Sequence, residues 1–144
     1  MNLFGMLELS GSALLAERQR AEVVTSNMAN SETTRTEQGG PYQRQLVVFR
    51  SRRMPQFPML LAGMQRNSAQ GVRVDQVLTD PSPPLRRYEP GHPDADPQGY
   101  VSYPAINPVE EMTDLLGAVR AYELNASAVQ ASKSMIQQAI EILR

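Results

Sequence analysis

The chain has no cysteine and no tryptophan, and a single histidine in 144 residues. The missing thiols exclude disulfide staples, thiolate metal sites and cysteine nucleophiles, and they are compatible with an oxidising compartment. Aromatic residues make up 6% and apolar residues 41%, a thin supply of bulky side chains for one domain of ordinary length. An excess of either charge is also absent. Fourteen bases face fifteen acids for a net charge of −1, so there is no polybasic or polyacidic tail. No apolar run approaches the roughly 18 to 20 residues of a membrane span. Residues 1–15 are apolar but lack a positive leader, and Glu8 and Ser10 interrupt them, which is not the layout of a cleaved signal peptide.

What is present is unevenly distributed. All eleven prolines fall between Pro41 and Pro108. Residues 1–34 carry four acids and two bases, residues 35–90 nine arginines against four acids, and residues 91–144 seven acids and three bases. The chain divides accordingly into a helical start, a punctuated basic middle and a helical end.

The end carries the strongest local signal. In Asn107-Pro108-Val109-Glu110, Asn107 caps the first free N–H groups and Pro108 stands at the first helical position. Glu110 is expected to reach back toward the cap and to favour the positive end of the dipole. Met112, Leu115, Val119, Tyr122, Ala126, Val129, Lys133, Ile136, Ile140 and Leu143 then alternate steps of three and four, the 3.5-residue period of a coiled-coil seam. The start repeats the pattern less strictly through Leu3, Leu7, Ser10, Leu14, Glu17, Ala21, Val24 and Met28. Its helix is expected to stop near Asn30, before Gly39-Gly40-Pro41. Two helices paired with each other cover one side of each stripe, and these stripes are broader. The stripes are either the private core of an antiparallel helical hairpin, or further copies of the chain or of a relative cover what the pair leaves open, with Ser10, Glu17 and Lys133 as polar breaks that then help fix register. In the second case an isolated monomer is expected to have poorly ordered termini.

In the middle, residues 43–49 (QRQLVVF), 71–78 (GVRVDQVL) and 100–103 (YVSY) read as strands, with Val72 and Val74 holding the outer unit together. Asp80-Pro81-Ser82-Pro83-Pro84 and Glu89-Pro90-Gly91-His92-Pro93 read as turns. Arg52-Arg53 and Arg86-Arg87 suggest a basic face, but no base-reading or aromatic motif accompanies them, so a nucleic-acid partner is not indicated. Glu89, His92, Asp94 and Asp96 have ligand-type side chains. Asp94 to Gly99 even opens like a calcium loop, yet its twelfth position is Ala105, where a bidentate glutamate is needed. No cofactor and no catalytic residues are expected, since no nucleophile motif or phosphate loop is present.

Several stretches together resemble a known family. Ser10-Gly11-Ser12-Ala13-Leu14, the run Asn27-Met28-Ala29-Asn30-Ser31-Glu32-Thr33-Thr34, Gly39-Gly40-Pro41-Tyr42, Gly91-His92-Pro93-Asp94-Ala95-Asp96, and Arg120-Ala121-Tyr122-Glu123-Leu124-Asn125 are similar to the bacterial flagellar axial proteins, and within them to the proximal-rod proteins of the basal body. The family pattern carries Asn where this chain has Glu32. The resemblance implies an α+β fold in which long N- and C-terminal helices (1–34 and 105–144) pair in a coiled-coil-like α-domain, with residues 35–104 as a small β-rich outer domain. It implies a structural, non-enzymatic part of the periplasm-spanning rod that transmits torque, exported by the flagellar type III apparatus without a cleaved signal. The implied partners are copies of the chain, other rod proteins, and rod-base and export-gate components. Assembly is expected to rest on Leu14, Val24, Met28, Asn30, Met112, Leu115, Val119, Tyr122, Val129, Ile136 and Ile140. The competing reading is a soluble helical adaptor that binds one protein partner.

Overall fold

The computed structural model describes residues 3–52 and 71–142. Helix α1 (Leu3–Ala29) comes first, then strands β1 (Gln45–Ser51), β2 (Val72–Thr79), β3 (Leu85–Tyr88) and β4 (Tyr100–Tyr103), and last helix α2 (Pro108–Ile142). The fold is α+β: two long terminal helices with two small antiparallel sheets between them. At about 1.5 Å per residue, α1 is about 40 Å long and α2 about 50 Å.

Local chemistry sets the helix ends. Asn30 closes α1, its backbone N–H and its Nδ2 both donating to the Ser26 carbonyl at 3.1 and 2.9 Å, which satisfies an acceptor that the last turn leaves open. Asn107 caps α2 as predicted, its Oδ1 accepting the Val109 N–H at 3.1 Å. Glu110 is exposed. The first-turn acid that the fold uses is its neighbour Glu111.

The helices run antiparallel. Asn27 near the end of α1 bonds Glu111 near the start of α2, and Arg20, earlier in α1, pairs with Asp114, later in α2, at 3.3 Å. On α1 the predicted seam turns inward: Leu7, Ser10, Leu14, Glu17, Ala21 and Met28 are partly buried and Val24 is fully so. The side chain of Leu3, and residues Leu143 and Arg53, lie outside what is described.

On α2 the inward face differs from the predicted stripe by about one residue. Glu111, Ala118 and Ser132 are buried, with Asn125 partly buried between them. From the expected stripe, Leu115, Val129 and Ile136 are partly buried, whereas Met112, Val119, Tyr122 and Ile140 are exposed. The cause is steric and polar together. Small side chains let the helix axes approach, and Glu111 has partners only on that side. Periodicity detects an apolar face without saying which neighbour covers it.

β1 and β2 pair from Gln45↔Thr79 to Ser51↔Val72, with a register shift between Val48 and Phe49. Val72 and Val74 pair with Ser51 and Phe49 across this sheet. With Ser12, Leu15 and Ala16 of α1 they line a groove between helix and hairpin, so they pack this sheet on α1. The Ser12 hydroxyl fixes the contact, accepting the Val72 N–H at 3.0 Å and donating to the Leu9 carbonyl at 2.7 Å. Gly71 sits so close that an added Cβ would meet Ser12 Oγ at 2.6 Å.

β3 is not among the predicted strands. It pairs with β4 from Leu85↔Tyr103 to Tyr88↔Tyr100, and the partnership rests on aromatic contacts that no local pattern announces. Tyr88 and Tyr100 meet edge to face, and Arg86 and Arg87 lie over the rings of Tyr100 and Tyr103 at 5.0 and 4.7 Å. Successive strand residues point to opposite faces, so Arg86 and Arg87 do not form one basic surface.

Candidate functional site

Three segments that are distant in sequence meet at the top of the helix pair. Asn27 and Glu111 are each only 1% exposed. The Asn27 side chain behaves like a short piece of strand beside β1: its Oδ1 accepts the Gln45 N–H at 2.9 Å and its Nδ2 donates to the Gln45 carbonyl at 2.9 Å. The same amide donates to Glu111 Oε2 at 3.1 Å and accepts the Tyr42 hydroxyl at 3.1 Å. Glu111 Oε1 takes the Arg44 Nε at 2.6 Å. Arg44 and Arg20 both reach Asp114, at 3.9 and 3.3 Å.

Every polar group of Asn27 and both carboxylate oxygens of Glu111 are therefore bonded. That satisfaction is what makes burial of a charged group tolerable. The junction is structural chemistry. It joins α1, β1 and α2, and it offers no unpaired nucleophile or base. Sequence reasoning missed Glu111, Arg44 and Tyr42 as a unit and placed Asn27 only within a motif. The available signal was Asn27 itself, a polar residue one turn beyond Val24 on the striped face of α1.

The acid-rich loop is committed to holding itself. His92 Nδ1 accepts the Asp94 N–H at 3.1 Å. Asp94 accepts the Thr34 hydroxyl at 2.8 Å and lies 3.7 Å from Arg35, which ties the loop to the segment after α1. Asp96 accepts the N–H groups of Tyr100 and Gln98, each at 2.9 Å, and pairs with Arg86. The Tyr100 N–H foremost, then Gln98 and Arg86, hold the Asp96 carboxyl below the ordinary carboxylate range. Asp80 is lowered in the same way by the hydroxyl and N–H of Ser82. Tyr103 donates to Glu89 at 2.9 Å, and this bond raises its phenol above the usual value. Among the described residues, no three His, Cys, Asp or Glu side chains converge on a point where a metal would sit. Within the same residues no helix is long and apolar enough to cross a membrane.

The residues expected to carry assembly separate into two groups. Leu14, Val24, Met28, Leu115, Val129 and Ile136 are buried or partly buried, and Asn30 is occupied in closing α1. Met112, Val119, Tyr122 and Ile140 are exposed, and Leu116, Leu124, Met135 and Ile142 share that exposure on the same helix. On α1, Phe4, Met6, Leu9 and Leu15 are likewise open. Singly exposed apolar residues are ordinary, but so many along two helices leave an extended apolar surface open to water.

Comparison with known proteins gives the family. Residues 98–142 match the family model described as flagellar basal body rod FlgEFG protein C-terminal. Over its whole length the chain is 40% identical to the flagellar basal-body rod protein FlgC of Borreliella burgdorferi, covering 99% of that protein. It is 39% identical to FlgC of Bacillus subtilis and 33% identical to FlgC of Yersinia enterocolitica, with 99% of this chain aligned in each case and 99% and 98% of those proteins covered. A segmented chain with two long, outwardly apolar terminal helices and full-length likeness of this order belongs to the flagellar basal-body rod protein FlgC family.

Proposed function

We propose that the chain, a structural component of the flagellar basal-body rod by its family, builds the proximal rod by placing the exposed faces of its terminal helices against neighbouring subunits. One observation carries this reading. The inward face of α2 is already filled by α1, yet Met112, Leu116, Val119 and Tyr122 remain open to solvent. An apolar row of this kind is stabilised by removal from water, at about 25 cal/mol for each Å² covered. Contacts between different faces of identical or related subunits propagate into a helical array when the rotation between subunits does not close a ring.

In this reading, residues 1–34 and 105–144 form the axial core and residues 35–104 the outer domain, with the Asn27–Glu111 junction where they meet. The role is mechanical: many dispersed apolar contacts along helices about 40 and 50 Å long resist shear as torque passes. The partners are copies of the chain, other rod proteins, and rod-base and export-gate components. Export proceeds through the flagellar type III apparatus without a cleaved signal, and a cysteine-free chain suits assembly in the periplasm.

Val119→Asp tests the proposal, because this residue is exposed in the monomer. The variant is expected to be exported but not incorporated, leaving cells non-motile. Normal swimming would overturn the interface role. A soluble adaptor would instead form a complex of fixed size with one partner and would be absent from basal bodies.

A further inference from the structure

We infer that the outward row of α2 docks in the groove between α1 and the β1–β2 hairpin of a second copy, where its Glu123 meets Arg52. The inference rests on the proposed role of that row as a subunit interface, and it names the surface that receives the row. Met112, Leu116, Val119 and Glu123 follow one another at steps of four, three and four along α2, and all four are exposed. They share one face of the helix, so an acid ends an apolar row. Glu123 has no hydrogen-bond or ion-pair partner among the described residues, and Arg120 at the border of the row is no exception. Covering the row with a purely apolar surface would strip water from this carboxylate with nothing in return. The cover must bring a cation beside an apolar floor.

The groove has both. Leu15 of α1 and Val72 and Val74 of β2 supply its floor, in an open volume of about 580 Å³. Arg18, Arg52 and Arg73 line it against one acid, Glu22. Arg18 is paired with Glu22 at 2.9 Å and Arg73 with Asp75 at 3.4 Å. The Arg52 side chain is exposed and has no partner among the described residues, so of these three cations it is the one left to receive a carboxylate. The lengths agree as well. The α1 wall from Ser12 to Glu22 runs about 15 Å and the row from Met112 to Glu123 about 17 Å, at about 1.5 Å per residue. Within one chain the row turns away from α1, on which the groove is built, so the occupant is another molecule. A second copy fits, because this chain sets nine arginines against four acids in residues 35–90 and seven acids against three bases in residues 91–144. Opposite charge across two different faces steers their encounter and fixes how they register. Since row and groove are different surfaces, a docked copy still offers one of each, and the contact repeats.

The test uses the full chain, which has no native cysteine. Cells co-express two differently tagged chains, one carrying Gln19→Cys in the groove and one Val119→Cys on the row, both exposed positions. Extracted basal bodies are treated with a short bismaleimide and run on a denaturing gel. The two chains together should give a mixed dimer, and neither chain expressed alone should give one. In a second arm, Arg52→Glu and Glu123→Arg are each expected to leave the purified chain's urea midpoint in place while lowering recovery in basal bodies about tenfold. The two substitutions in one chain should restore recovery. Absence of the mixed dimer, with Val119→Asp still excluded from basal bodies, would overturn this docking and leave α2's row an interface with another surface. Val119→Asp recovered at the parent's level would overturn the reading beneath it as well. Cross-linking of Gln19→Cys to a different rod protein, or failure of Glu123→Arg to rescue Arg52→Glu, would also overturn the docking.

Discussion

Asn27 and Glu111 stand 84 positions apart in the chain, yet their side chains share a 3.1 Å hydrogen bond with both residues 99% shielded from water. Through the same amide, Asn27 also holds the first residue of β1. The end of one helix, the start of the other and the base of the outer sheet therefore depend on a single polar cluster.

Glu111→Ala should destabilise the monomer by about 3 kcal/mol, the lower end of the cost of breaking a buried pair, because Arg44 keeps 22% of its side chain in water and regains some hydration. Glu123→Ala, on the exposed side of the same helix, should change stability by less than about 0.5 kcal/mol. Urea unfolding of the two variants side by side checks the contrast.

Gly99 adopts φ +83°, and a Cβ there would approach Tyr88 Cε2 to 2.9 Å and Pro90 Cβ to 3.2 Å. Gly99→Ala should therefore loosen the β3–β4 hairpin by more than about 1 kcal/mol while leaving helical circular dichroism intact. Gly91→Ala, with nothing within 4 Å of its added carbon, should be nearly silent. Amide exchange at Leu85–Tyr88 and Tyr100–Tyr103 reads both outcomes.

The outer hairpin should weaken at both extremes of pH, for opposite reasons. Asp96 and Asp80 have lowered carboxyl pKa values. Their contribution is present above the ordinary value of 3.8 and is lost as pH falls through the lower folded values. Tyr103 has a raised phenol pKa because it donates to Glu89. Its contribution is present below the ordinary value of 10.0 and is lost as pH rises through the higher folded value. Tyr103→Phe should abolish the alkaline loss and Asp96→Asn should blunt the acid one, as read by NMR shifts of Val101 against pH.

Ala118 is fully buried, whereas its neighbour Val119 is 42% exposed. Ala118→Asp should prevent the helices from pairing, because it forces an unpaired carboxylate into the seam. Val119→Asp should leave the monomer's unfolding midpoint within about 0.5 kcal/mol of the parent. Native-state hydrogen exchange should show strongest protection near Val24 and Leu115, falling toward the exposed Phe4 and Ile140.

Much of the fold was legible because its signals are local. Asn107-Pro108 announces a helix start by its own chemistry, and the alternation in Val72-Arg73-Val74-Asp75 announces a half-exposed strand. β3 was not legible, since Leu85-Arg86-Arg87-Tyr88 becomes a strand through rings that arrive twelve or more residues later. Which residues of α2 face α1 was not legible, because the period of its apolar stripe, assigned to assembly, does not say which side the partner helix covers. The fold turns small Ala118 and Ser132 inward and leaves Met112 and Val119 outward. Glu111 was hidden beside Glu110, since two adjacent acids in a first turn look alike until Asn27 and Arg44 choose between them.

The proposed joining of α2's outward face to neighbouring rod subunits is tested most directly by following a tagged chain into detergent-extracted basal bodies. The parent chain should sediment with basal bodies, and Val119→Asp should be exported yet missing from them. Val119→Asp recovered in basal bodies at the parent's level, in swimming cells, would contradict the account.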